Sequence, residues 1–144
     1  MYRVMASALV FSVTSAWAAP DNLIVDVYKS PTCGCCTKWV DHLKANGFQL
    51  RAHDTTNVAV HKARLGVPAG YGSCHTAQVA GYLVEGHVPA KEIKRLLKEK
   101  PPVRGLVVPA MPMGSPGMEA GDRKDAYEVF VVNRDGSTQT YAHY

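Results

Sequence analysis

Three of the chain's four cysteines fall within Cys33-Gly34-Cys35-Cys36, and the fourth is Cys74. Thiolates are the nucleophiles of disulfide exchange and also ligands for soft metals. Cys33 and Cys36 stand in a C-x-x-C frame, the spacing of a redox dithiol, with Cys33 as attacking thiol and Cys36 as its resolving partner. Disulfide exchange does not need Cys35. Two other groups of metal-capable residues accompany the cysteines. His75 directly follows Cys74, and His87 lies in Glu85-Gly86-His87-Val88-Pro89. Met111, Met113 and Met118 fall within eight residues of one another, in a segment of Pro and Gly. An isolated methionine usually fills a core gap; three together outside any periodic segment point instead to thioether ligands or to gating of a metal site. Thiolate and thioether together select Cu(I), whereas zinc suits Cys and His but has little use for Met. His42, His53, His61 and His143 have no companion motif and read as ordinary surface or hydrogen-bonded residues. Asp26, in an otherwise apolar run seven residues before Cys33, reads as a hydrogen-bonded strand residue, with a buried proton shuttle as the alternative.

The elements that must position these groups follow from periodicity. Leu23 to Tyr28 is a short apolar run that reads as a buried parallel strand. Cys36, Trp39, Val40 and Leu43 recur at helical spacing, so the cysteines sit at a strand-to-helix turn. A helix N-terminus stabilises negative charge and lowers thiol pKa values. Asn46-Gly47 stops that helix. Phe48 to His53 alternates as a second strand, and Asp54-Thr55-Thr56-Asn57 offers caps for a short helix over 58–65. Gly66 to Ser73 is rich in breakers. Residues 74–87 read as two short strands, or one interrupted strand, around Gly81, and Pro89 opens a helix whose apolar face is Ile93, Leu96 and Leu97. Lys91, Lys94, Arg95, Lys98 and Lys100 lie elsewhere on that helix and read as a solvated face. Pro101-Pro102 ends it, and residues 107–118 read as a Pro-, Gly- and Met-rich loop. A terminal hairpin, 127–132 and 138–141, turns at Asp135-Gly136. The order β-α-β-α-β-β-α, with cysteines at the first β-to-α turn, predicts an α/β thioredoxin-like sandwich with a C-terminal β-hairpin. In such a fold the loop ahead of the third strand nears the redox turn. Cys74 is then expected within bridging distance of Cys33 or Cys36, with His75 at the same rim.

Residues 1–18 read as a signal peptide: Arg3 supplies the positive start, Val4 to Val13 the apolar stretch, and Ala16-Trp17-Ala18 the cleavage site. The apolar stretch is too short to span a bilayer. Residues 19–144 then form a single domain, without a membrane span once the leader is removed. The formal charge of the whole chain is +4, an excess too mild to argue for nucleic acid. Export implies an oxidising compartment, where disulfides persist. A purely structural disulfide framework fits badly, because Cys35 and Cys36 are adjacent and only Cys74 lies elsewhere.

Four phrases resemble one family: Cys33-Gly34-Cys35-Cys36, Gly72-Ser73-Cys74-His75-Thr76-Ala77, Val84-Glu85-Gly86-His87-Val88-Pro89, and Met111 through Glu119. They are similar, in the same order and over roughly residues 23–142, to small exported proteins long catalogued as a domain of unknown function, which include the CopG-type copper-resistance proteins. The resemblance implies a thioredoxin-like domain in the bacterial periplasm, copper bound by the clustered cysteines, and an oxidoreductase role toward copper. Ala110 stands where the family's Pro-Gly-Met-Pro phrase carries Gly, and Ala enters positive φ only at a cost.

Together these readings give a periplasmic copper-resistance protein that holds Cu(I), with Cys33, Cys35, Cys36, Cys74, His75, His87, Met111, Met113 and Met118 as candidate metal residues. Copper ions are its expected partners, with other periplasmic copper-handling proteins as sources or recipients. The rival is a thiol–disulfide oxidoreductase that uses Cys33 and Cys36 and leaves Cys35, Cys74 and the methionines without a role. A disulfide-stapled binding module ranks below both.

Overall fold

The computed structural model describes residues 24–144; the expected signal peptide lies outside them. The chain runs β1 (Ile24–Lys29), α1 (Gly34–Ala45), β2 (Gln49–Asp54), α2 (Val58–Leu65), β3 (Thr76–Val79), β4 (Tyr82–Glu85), α3 (Ala90–Glu99), β5 (Gly105–Val107), β6 (Glu128–Val132) and β7 (Thr138–His143). The strands form one mixed sheet in the order β2-β1-β3-β4-β5-β6-β7. Only β1–β2 and β4–β5 are parallel, and each of these pairs is joined by a helix, as a parallel connection requires.

Alternation along the strands sorts side chains onto two faces. Val25 and Val27 of β1, Val84 of β4 and Leu106 of β5 meet Trp39, Val40 and Leu43 of α1 and Ile93 and Leu96 of α3 in the larger core. The intervening residues face the other way. There Leu83, Val107 and Val132 gather Leu65, Val67, Tyr71 and Phe130, and Tyr28 stacks on His61 of α2 with ring centroids 3.9 Å apart. Thus α1 and α3 cover one face of the sheet and α2 part of the other. Among the described residues, no helix is long and apolar enough to cross a membrane.

Local signals account for most boundaries. Asn57 caps α2, its side chain accepting from the Val60 N–H at 3.4 Å. Gly66, at φ +76°, ends it. The β3–β4 turn passes through Ala80 and Gly81, both at positive φ, the backbone a tight hairpin needs. Three details differ from expectation. β1 is parallel to β2 but antiparallel to β3, and its burial alternates instead of being continuous, because β1 carries the large core on one face only. β5 was not expected: Gly105-Leu106-Val107 is too short to show a period, and its identity comes from lying between β4 and β6. Pro89 is the N-cap of α3, one residue outside the first turn.

Candidate metal centre

The β1–α1 turn places Cys33 as the N-cap of α1, where its sulfur accepts the Cys36 N–H at 3.3 Å. A disulfide joins Cys33 to Cys36. Cys36 is fully buried against the core, while Cys33 is partly accessible. Cys33 has the extended backbone of an N-cap and not that of the helix, and its sulfur lies 3.5 Å from that of Cys35. The segment before β3 crosses this turn and sets the Cys74 sulfur 3.6 Å from that of Cys35. All four cysteine sulfurs lie within 4.8 Å of one another. Cys33 and Cys36, the expected neighbours of Cys74, thus lie within 4.8 Å of it, and Cys35, which the expectation had not named, touches it.

Two imidazoles extend the cluster. His75 Nδ1 lies 3.3 Å and His87 Nε2 3.2 Å from the Cys74 sulfur. Both rings are fully buried. His87 Nδ1 lies 2.8 Å from the Pro116 carbonyl. A carbonyl only accepts, so Nδ1 carries the proton and the Nε2 lone pair is left facing sulfur. Burial lowers the pKa of His87, against the raising pull of the Pro116 carbonyl and Glu119. Burial, then the neighbouring His87 and Lys62, holds His75 well below the ordinary imidazole range. Both rings are therefore neutral at physiological pH, the form that binds metal. The Cys74 thiol is pushed up to about 11, first by burial and then by Cys35 beside it. It is protonated at neutral pH, and a metal binding there must displace that proton.

The methionine segment packs over α1. Gly117, at φ +88°, has no room for a side chain: a Cβ would lie 2.7 Å from the Cys35 carbonyl oxygen and 2.8 Å from the Trp39 nitrogen. This close approach brings Met113 and Met118 to a groove of about 270 Å³ shared with Cys35, Lys38 and Glu119. Met111 is half-exposed and lines a separate groove with Asp125, Tyr127 and Glu128. The structure thus gathers Cys33, Cys35, Cys36, Cys74, His75 and His87, sets Met113 and Met118 beside Cys35, and leaves Met111 apart.

Asp26 is a hydrogen-bonded strand residue, paired with Arg51 at 3.0 Å and His53 at 2.8 Å. The buried acid near the site is Glu85, fully enclosed and paired with Lys62. Its signal in the sequence, a lone acid closing the run Tyr82-Leu83-Val84, is the same kind that Asp26 offers. His42, which had no companion motif, accepts the Ala90 N–H at Nε2, 3.1 Å away, and caps α3 where Pro89 offers no side-chain acceptor.

The donor set is soft: in the disulfide form two thiols and two neutral imidazoles, and after reduction four thiols. Such donors suit Cu(I) better than harder cations. A family model described as a protein of unknown function, DUF411, matches residues 71–118. No curated protein matches the chain at a significant level. Two solved structures, described as copper resistance protein CopG, form 2 and form 1, are each 48% identical to the chain. Each alignment covers 85% of this chain and 98% of the other, with a TM-score of 0.81.

Proposed function

The chain belongs to the family of the copper resistance protein CopG, and from that premise we propose that it is an exported copper-binding protein of copper resistance. It holds Cu(I) at the clustered cysteines, on a thioredoxin-like sandwich formed by residues 19–144 after a signal peptide is removed into the periplasm. The observation that carries this reading is the convergence of four sulfurs within 4.8 Å, joined at Cys74 by His75 and His87. Copper is the cargo. Cys33, Cys35, Cys36 and Cys74 are its thiolate ligands, and bridging thiolates can each hold two Cu(I) ions, so four cysteines support a polynuclear site. His75 and His87 complete the coordination with neutral nitrogen. Met113 and Met118, in the groove against Cys35, pass copper to and from the thiolates, and Met111 offers a more exposed first contact. A change in copper oxidation state at this site is the enzymatic extension of the reading, and other periplasmic copper-handling proteins are its sources and recipients.

The Cys33–Cys36 disulfide at the start of α1 favours a second reading, a thiol–disulfide oxidoreductase with Cys33 as the accessible sulfur and Cys36 as the buried one. Reducing that disulfide takes two electrons and two protons from a dithiol donor and frees two further ligands. Cys35→Ser separates the two readings. Copper holding predicts a lower Cu(I) stoichiometry with any general disulfide reductase activity retained. Unchanged stoichiometry in Cys35→Ser, with insulin reduction retained there but lost in Cys36→Ser, would favour the oxidoreductase.

A further inference from the structure

We propose that Lys62 and Glu85 are positioning residues that fix Cys74 from both sides of the chain. Glu85 ends β4 and is fully buried. Its Oε1 accepts the Ser73 N–H at 2.6 Å and also the Lys62 ammonium. The same ammonium donates to the His75 carbonyl at 3.3 Å, which also takes the Gly86 N–H at 3.1 Å. One ion pair therefore grips the residue before Cys74 and the residue after it. The chain following Glu85 leads through Gly86 directly to His87, so both sides of the nitrogen–sulfur cluster start from one buried carboxylate.

The need for such a grip is local. β3 begins only at Thr76, and past it the one cross-strand backbone bond to residues 73–75 is that of the Gly86 N–H to the His75 carbonyl, which leaves Ser73 and Cys74 outside the ladder. A ligand displaced by a fraction of an ångström no longer closes a metal site, and second-shell partners supply that precision. Stability alone is a poor account of the pair. Desolvation largely offsets the attraction within buried ion pairs, and apolar replacements of similar volume are often as stable. The second oxygen, Glu85 Oε2, has no hydrogen-bond partner among the described residues, a further cost. The pair's contribution is to place Cys74 and His75 opposite Cys35 and His87. Helix α2, which has no fully buried residue, thus reaches the site through Lys62.

The consequence for copper rests on the function proposed above; the grip on Cys74 does not. The test uses the full chain, reduced and copper-free, with iodoacetamide as the probe and peptide mapping of each cysteine. Lys62→Met should raise the alkylation rate of Cys74 several-fold relative to Cys35. The double variant Lys62→Met/Glu85→Gln, which leaves no unpaired buried charge, should do the same, and Lys62→Arg should restore the native rate. If Lys62→Met does not fold, the double variant decides. In a chelator competition, Cu(I) affinity of the double variant should fall about 10-fold, again with rescue by Lys62→Arg. Cys74 alkylation unchanged in the double variant, or raised equally at every cysteine, would overturn the proposal, as would unchanged affinity in a native chain that binds Cu(I). If the native chain binds no Cu(I), the copper reading fails and the alkylation ratios alone decide the grip.

Discussion

Cys74 is the residue on which the site turns. Its sulfur touches Cys35 on one side and both imidazoles on the other, so it alone joins the sulfur group to the nitrogen group. Replacing it by Ser keeps size and hydrogen bonding but substitutes a hard oxygen for a soft donor. Cys74→Ser should lose at least one equivalent of Cu(I) and leave the rest more open to chelators, with apo stability changed by about 1 kcal/mol or less, as for a substitution outside the packed core. Copper content and apo thermal midpoint, measured together, check this. A collapsed midpoint with full copper content would make Cys74 a core residue. The cysteines were legible in the sequence because spacing alone marks them. Glu85 was not. Asp26 and Glu85 both interrupt apolar strands and both face the α2 side of the sheet, but Asp26 lies beside the edge strand β2 and meets Arg51 and His53 near solvent. Glu85 lies on interior β4 under Lys62 and Ser73. Burial of a lone acid depends on what covers it, which no local pattern carries.

At the scale of elements, the methionine segment is held at both ends of its approach. Gly117 meets α1, Pro116 holds His87, and Ala110 anchors the entry through its N–H to the Gly72 carbonyl at 3.0 Å. Ala110 is exposed and sits at φ +58°, the left-handed region that glycine enters freely. The conformation costs an alanine roughly 1–2 kcal/mol, against about 0.4–1 kcal/mol of extra unfolded-state entropy for glycine. Ala110→Gly should therefore stabilise the fold by about 0.5–1 kcal/mol, read as a rise in urea midpoint; a fall would mean the methyl group contributes packing. The α1–α3 junction carries a pH dependence. His42 accepts the Ala90 N–H only when Nε2 is bare. Burial lowers its pKa from 6.5, opposed by Glu119. A folded-state pKa below the unfolded one means the contribution is complete above about pH 6.5 and is lost as pH falls through the folded value. His42→Ala should cost about 1 kcal/mol at pH 8 and distinctly less at pH 5, by urea unfolding at each pH. An equal cost at both would remove the cap from the account. Helices and hairpin were readable from periodicity and turn residues; the His42 cap was not, because it joins residues 48 positions apart.

For the whole molecule, the sheet order brings three remote segments to one spot: the β1–α1 turn, the chain entering β3, and the β4–α3 connection. The third-strand approach to the cysteine turn was expected from the order of elements. The short β5 was not, yet it pairs with β4, and Val108 just beyond it donates its N–H to the Glu85 carbonyl at 2.9 Å. The site has two compositions, with the Cys33–Cys36 disulfide closed or reduced, and the account makes copper capacity depend on which is present. The most direct measurement is an anaerobic Cu(I) titration of the full chain in both forms, against a competing Cu(I) chelator, with proton release recorded. The account predicts several tightly held equivalents in the reduced form, fewer in the disulfide form, and protons released on loading, because Cys74 begins as a thiol. A single weak equivalent in the reduced form, or equal capacity in both forms, would contradict it.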